Sequence, residues 1–304
     1  MRILLAFDGS ACAETARDLV SHLPWPDPSR VDALRVIEPV FDLFVMPPLD
    51  LEDSVDEFLG VAEVRASLDA EVSGLARPGL IVEPHVVVGR AASLIVETAQ
   101  ELGSDLVVMG SRGRGPIGSM VLGSVSAEVA GHAPCPVLVA RASTCARTIL
   151  ALDGTPAADR IVEAVSDWPF LAETHLEVVS VAPSAVPGPG VMLSGAYGMP
   201  IAWYEEAAES ARTTLEEAAT AAVQRLRAGD LDAGWSIYEG DPAATLIEVA
   251  ERTNADLVIL GTHGLSGMSR LLMGSVARNV LLHTHASVLI VRDEQVGSPP
   301  NPSS

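Results

Sequence analysis

Leu106-Val107-Val108-Met109-Gly110-Ser111-Arg112-Gly113 is an apolar run that stops at glycine, and with nine residues intervening after Gly113 the chain reads Gly123-Ser124. The pattern returns as Leu257-Val258-Ile259-Leu260-Gly261-Thr262-His263-Gly264, followed after the same interval by Gly274-Ser275. The two copies stand 151 residues apart. Apolar runs without polar alternation fit central strands buried on both faces of a helix-covered parallel sheet. Glycine just beyond such a strand lets the backbone approach a ligand closely and take a positive φ. Successive N–H groups there form a nest for an anion. A helix beginning at Gly-Ser adds unsatisfied N–H groups and the positive end of its dipole. Matched twice, the pattern predicts a duplicated domain with a phosphate-cradling turn in each half.

Outward from these turns, strands and helices alternate. Strands are predicted over 2–7, 31–37, 80–88, 105–109 and 136–141, with helices over 11–23, 51–76, 91–102 and 121–131. The second half repeats this with strands over 148–152, 175–181, 233–239, 256–260 and 287–291 and helices over 157–167, 201–228, 242–252 and 271–283. Asp241-Pro242 is a helix start, with Asp as cap and Pro in the first turn. Such alternation predicts an α/β tandem repeat of two doubly wound five-stranded parallel sheets. The domains are set at 1–144 and 145–295, with a disordered tail over 296–304. Long connections over 39–50 and 183–200 read either as lids or as plain surface loops.

Composition narrows the functional classes. The 304 residues carry a net charge of −21, which repels polyanions and argues against nucleic-acid binding. All 19 basic residues are Arg, which excludes a P-loop lysine and Schiff-base chemistry. Cys12, Cys135 and Cys145 form no CxxC pair and read as reduced thiols, as in the cytoplasm. The apolar run at the N-terminus is too short for a membrane span or a signal peptide.

The glycine pattern Gly-x2-Gly-x9-Gly-Ser, present twice, is similar to that of tandem universal stress proteins of the ATP-binding kind. The likeness extends to Asp8-Gly9, Asp153-Gly154, Gly89-Arg90-Ala91 and Gly240-Asp241-Pro242. It implies an adenine nucleotide alpha-hydrolase-like, Rossmann-like fold and a nucleotide-responsive regulator of stress adaptation with one site per domain. By this resemblance Asp8 and Asp153 contact the adenosine, and Val36 and Val181 line the adenine pocket. Gly110, Gly113, Gly261 and Gly264 hold the ribose and first phosphate. Gly123, Ser124, Gly274 and Ser275 hold the outer phosphates. ATP is the expected ligand, with Mg2+ or Mn2+ beside it, and a homodimer is expected. No protein ligand to a metal and no catalytic residue is assigned. Each Asp also has a structural reading, as a turn or N-cap.

Arg112, Arg114 and Ser126 distinguish the first site from the second, where His263, Leu265 and Ala277 stand instead; tighter triphosphate binding is therefore expected in the first half. Two rival functions stay open: a slow ATPase or nucleotide-transfer enzyme using the same pockets, and a scaffold with empty pockets. Gly113-Arg114-Gly115-Pro116-Ile117-Gly118 spells a dinucleotide fingerprint, but it does not start at a strand end and has no counterpart in the second half. His132 with Cys135, and His283 with His285, lack further ligands at zinc spacing and read as helix-end residues. Trp168, Trp203 and Trp235 read as packing residues.

Overall fold

A computed structural model describes residues 1–38, 60–113, 122–184, 201–262 and 273–292, with the side chains of 201–204 excepted. The chain divides into two compact units at Thr144/Cys145. The first unit runs β1 (Arg2–Ala6), α1 (Ala11–His22), β2 (Ser29–Ile37), α2 (Val61–Val72), β3 (Leu80–Val88), α3 (Ala91–Leu102), β4 (Leu106–Gly110), α4 (Ser124–His132) and β5 (Val137–Ala140). Its strands are all parallel, in the order β3-β2-β1-β4-β5. The second unit runs β6 (Arg147–Ala151), α5 (Pro156–Ser166), β7 (His175–Ala182), α6 (Ile201–Ala228), β8 (Asp232–Glu239), α7 (Pro242–Thr253), β9 (Leu257–Gly261), α8 (Ser275–His283) and β10 (Ser287–Val291). Its parallel order β8-β7-β6-β9-β10 repeats that of the first.

The apolar runs are where the core sits. Leu106, Val107 and Val108 in β4 are wholly buried, as are Leu257, Val258 and Ile259 in β9. A strand with no exposed face must have helices on both sides, so the sequence pattern and the α/β architecture have one cause. In the first unit α1 packs on β4 and β5, α2 on β3, and α3 on β2 and α4.

Helix starts follow their capping chemistry. Ser10, Thr155 and Asp241 each accept the N–H three residues on, from Ala13, Ala158 and Ala244. The expected start at Asp241 is therefore found. Two helices begin later than periodicity predicts. The chain enters α4 and α8 through Gly123 and Gly274, both in extended conformation, so the helices open at Ser124 and Ser275 rather than at 121 and 271. In the described part of the predicted helix 51–76, α2 starts after Gly60, whose φ is +62°, and ends at Val72 in a 3-10 turn, Ser73–Leu75. The predicted loop over 39–50, most of that over 183–200, and the tail lie outside the described residues.

Trp168 packs as expected, its ring centroid 5.2 Å from that of Phe170. Trp235 does not: it stands on β8, the last strand in the order, and 40% of it is exposed. An edge strand has no neighbour to cover its outward residues, which the sequence pattern alone does not reveal. Among the described residues no helix is long and apolar enough to cross a membrane.

Cys145 is buried, and burial together with the nearby Asp256 carboxylate pushes its thiol up to about 12. A thiol reagent at neutral pH is expected to leave Cys145 unmodified in the folded chain and to label it in denaturant. Labelling without unfolding, followed by peptide mass mapping, would contradict this burial.

Candidate functional site

The chain winds from β1 to β2 to β3, then returns to place β4 on the other side of β1. Ala6 lies in register with Met109, so the Asp8 turn and the glycine turn leave the sheet side by side. In open α/β sheets ligands sit at this switch point, beyond the carboxyl ends of the strands. The second unit repeats the arrangement, with Leu150 of β6 in register with Ile259 of β9.

Phe7 is buried and fixes the end of β1, after which Gly9 turns the chain at φ +77°. Asp8 Oδ1 accepts the Ser10 N–H at 2.9 Å. In the second unit Gly154 has φ +71°, and Asp153 Oδ1 accepts the Thr155 N–H at 3.1 Å and its hydroxyl at 2.6 Å. Both aspartates therefore have the turn role that Asp-Gly-Ser/Thr suggests. Asp8 also reaches across: its Oδ2 would lie 2.8 Å from a Cβ at Gly113. Ser10 ties the same turns together, donating its hydroxyl to the Arg112 carbonyl at 3.2 Å.

The three motif glycines of the first unit serve different ends. Gly110 is buried, and a Cβ there would stand 2.5 to 2.8 Å from the Cys12 and Ala13 backbone. It is the contact through which α1 rests on β4. Gly113 is exposed and keeps open the space over the Asp8 carboxylate. Gly123 donates its N–H to the Ser111 carbonyl at 2.7 Å, and Gly274 does the same to Thr262 at 2.6 Å. Each of these bonds draws the two ends of a loop together and delivers the chain into a helix. Neither α4 nor α8 has a side-chain cap, unlike α1, α5 and α7. Ser124 and Ser275, the first residues of those helices, are exposed.

Val36 and Val181 lie half-buried near the carboxyl ends of β2 and β7. Gly261 ends β9. Gly264 lies outside the described residues, as do Arg114, His263 and Leu265. Arg112 is exposed on the first glycine turn. Ser126, read from the sequence as an added donor for phosphate, is committed elsewhere: it is buried and donates to the Gly110 carbonyl at 2.9 Å. Its effect is to hold α4 against the end of β4.

One cluster escaped the sequence reading. Asp32, in the middle of β2, is fully buried and accepts from Arg2 Nε at 2.7 Å, Arg30 Nε at 3.1 Å and His85 Nε2 at 2.9 Å. Arg30 also bonds Glu83. Burial pushes the Asp32 carboxyl up, but the bonds from His85, Arg2 and Arg30 outweigh it and hold the group far below the usual carboxylate range. Asp32, Glu83 and His85 lie close enough together to share a cation. Two guanidiniums already neutralise these carboxylates, so the arrangement is an ion-pair network and not a metal centre. The available signal was charge inside an otherwise apolar strand, Ser29-Arg30-Val31-Asp32-Ala33-Leu34. Positions related by register in the second unit carry Arg147, His175, Glu177, Gly234 and Ser236; there Glu177 accepts from the Ser236 hydroxyl and lies 4.0 Å from His175 Nε2, so a carboxylate is kept at the centre but without the second guanidinium.

Comparison with known proteins gives the family and the fold. The universal stress protein family matches residues 1–141 and again 146–292. A universal stress protein of Thermus aquaticus is 37% identical over 140 residues, covering 46% of this chain and 97% of that protein. A longer one, from Mycobacterium bovis, is 27% identical over 329 aligned residues, covering 96% of this chain and 95% of its own. The crystal structure of a universal stress protein from Archaeoglobus fulgidus superposes over 96% of both chains with a TM-score of 0.61 at 18% identity, which speaks for the fold alone. With nearly the whole of each half matched, this chain belongs to the universal stress protein family and carries its domain twice in tandem.

Proposed function

We propose that the chain binds an adenosine polyphosphate, foremost ATP, in one crevice per unit, and that occupancy rather than turnover is its output in stress adaptation. The observation that carries this reading is one conjunction present in both units. An Asp-Gly turn and a glycine turn leave neighbouring strands together, and the loop that follows is pinched onto a helix start with no side-chain cap. Backbone N–H groups at α4 and α8 can meet phosphate oxygens without a lysine. Asp8 and Asp153 stand on the ribose and base side, and Val36 and Val181 offer apolar surface for adenine. Mg2+ or Mn2+ accompanies the triphosphate as its counter-ion in this proposal. Hydrolysis is expected to be slow, since phosphoryl transfer at speed needs a residue placed to orient the attacking water, and none is assigned to either crevice. Assembly of two chains is proposed with it.

The test is to denature freshly purified protein, identify the released small molecules by mass spectrometry and titrate the apo chain with ATP, AMP and adenosine by calorimetry. Two equivalents of adenine nucleotide per chain are expected. Asp8→Ala should weaken one of the two sites about tenfold or more, a loss typical of a polar ligand contact. No heat with any adenine compound would dispose of the reading. Several turnovers per second would move the chain into the enzyme class.

A further inference from the structure

Successive side chains on a strand point to opposite faces, and β8 shows two aromatic residues treated differently. On one face, Tyr238 carries the Arg252 guanidinium of α7, 5.1 Å from its ring centroid. On the other, Trp235 is 40% exposed on the edge strand. It borders an open groove of about 370 Å³ between β8 and α6, formed with Glu216, Glu217, Thr220, Ala221 and Gln224. An exposed indole with carboxylates at its rim has the chemistry for a cation: the ring face attracts it and the acids draw it in. Glu216 is bridged by Arg212 at 3.0 Å, and Arg212 also reaches Glu239. Glu217 is exposed, so its charge is the one directed to an incoming group.

We propose that the groove between β8 and α6 is a docking surface for an arginine-bearing, cationic segment of a partner protein, with one guanidinium stacked on Trp235 and steered by Glu217. The planar guanidinium suits an indole face better than a lysine ammonium does. The chain's net charge of −21 favours a basic partner of any kind. What selects this groove is the ring, and the pairing of Arg252 with Tyr238 shows the same contact already made inside the protein. The proposal goes beyond nucleotide binding and does not depend on it.

The experiment follows a fluorescently labelled Arg–Gly repeat peptide by anisotropy against the full chain, with a Glu–Gly repeat as control. Trp235→Ala leaves the net charge unchanged, so it separates the ring from bulk attraction. It is expected to weaken the Arg–Gly peptide about tenfold, with Trp235→Phe in between, on the scale of a partly desolvated cation–π contact. Glu217→Gln should weaken binding about threefold and flatten its dependence on salt. Should the alanine variant not fold, the phenylalanine variant carries the comparison, with a loss of at least about twofold expected. Equal binding by wild type and both Trp235 variants would mean that net charge alone holds the peptide, and would overturn the proposal. So would no binding, or light scattering showing that the groove instead joins two copies of this chain.

Discussion

Replacing Asp32 with alanine is expected to destabilise the first unit by about 3 kcal/mol, among the largest effects available to a single substitution here. The reason is the imbalance left behind. Asp32 is wholly buried and answers Arg2, Arg30 and His85 together. Without it, the Arg2 guanidinium and the His85 imidazole lose this carboxylate, and Arg30 is left with Glu83. The expected cost is at the low end for a broken buried network, because the Arg2 and Arg30 side chains retain 32% and 35% exposure and can turn to water. The effect depends on pH with a definite sign. A carboxyl held below its ordinary value contributes stability fully above the unfolded value, near 4, and loses it as pH falls further. The gap between wild type and Asp32→Asn should therefore be widest at neutral pH and shrink progressively below about pH 4. Denaturant melts at pH 7, 4 and 3 measure it. A gap that stays constant through that range would show that shape, not charge, sets the contribution.

The second large effect separates two glycines of one motif. Gly110→Ala is expected to cost about 3 kcal/mol, since an added methyl would strike the α1 backbone and a helix cannot yield as a side chain can. For a unit of this size that lowers the melting temperature by roughly 6 to 12 °C. Gly113→Ala meets only the Asp8 carboxylate oxygen, the movable end of a side chain. It should cost less than about 1 kcal/mol while disturbing the Asp8 side of the crevice. Thermal melts of the two variants without nucleotide decide the matter. A similar loss in both would mean that the first glycine is not a packing contact.

The architecture was legible in the sequence because burial on both faces leaves strands with no polar alternation. The runs at 106–109 and 257–260 announce parallel strands without help from other positions. Helix ends were legible where a side chain caps, as at Asp241, and slipped where a glycine in extended conformation is the entry, as at Gly123 and Gly274. The motif residues could be named but not sorted. That Gly110 serves α1 while Gly113 serves Asp8 depends on which turn lies across from which, and only the pairing of β1 with β4 decides that. Ser126 looked like a ligand donor because its partner, the Gly110 carbonyl, is 16 residues earlier. The Asp32 network was hidden for the same reason, with partners drawn from three neighbouring strands. Trp235 was misjudged because an apolar residue on an edge strand reads like one inside.

The adjacency of β1 and β4 also sets an order of events during synthesis. Ile3 lies beside Leu106, so β1 leaves the ribosome about a hundred residues ahead of one of its two neighbours. Pairing with β2 comes early and protects one side of it, while the other edge stays open to chance partners until β4 emerges. The crevice between these strands thus has no nascent form: it comes into being only when that last neighbour arrives.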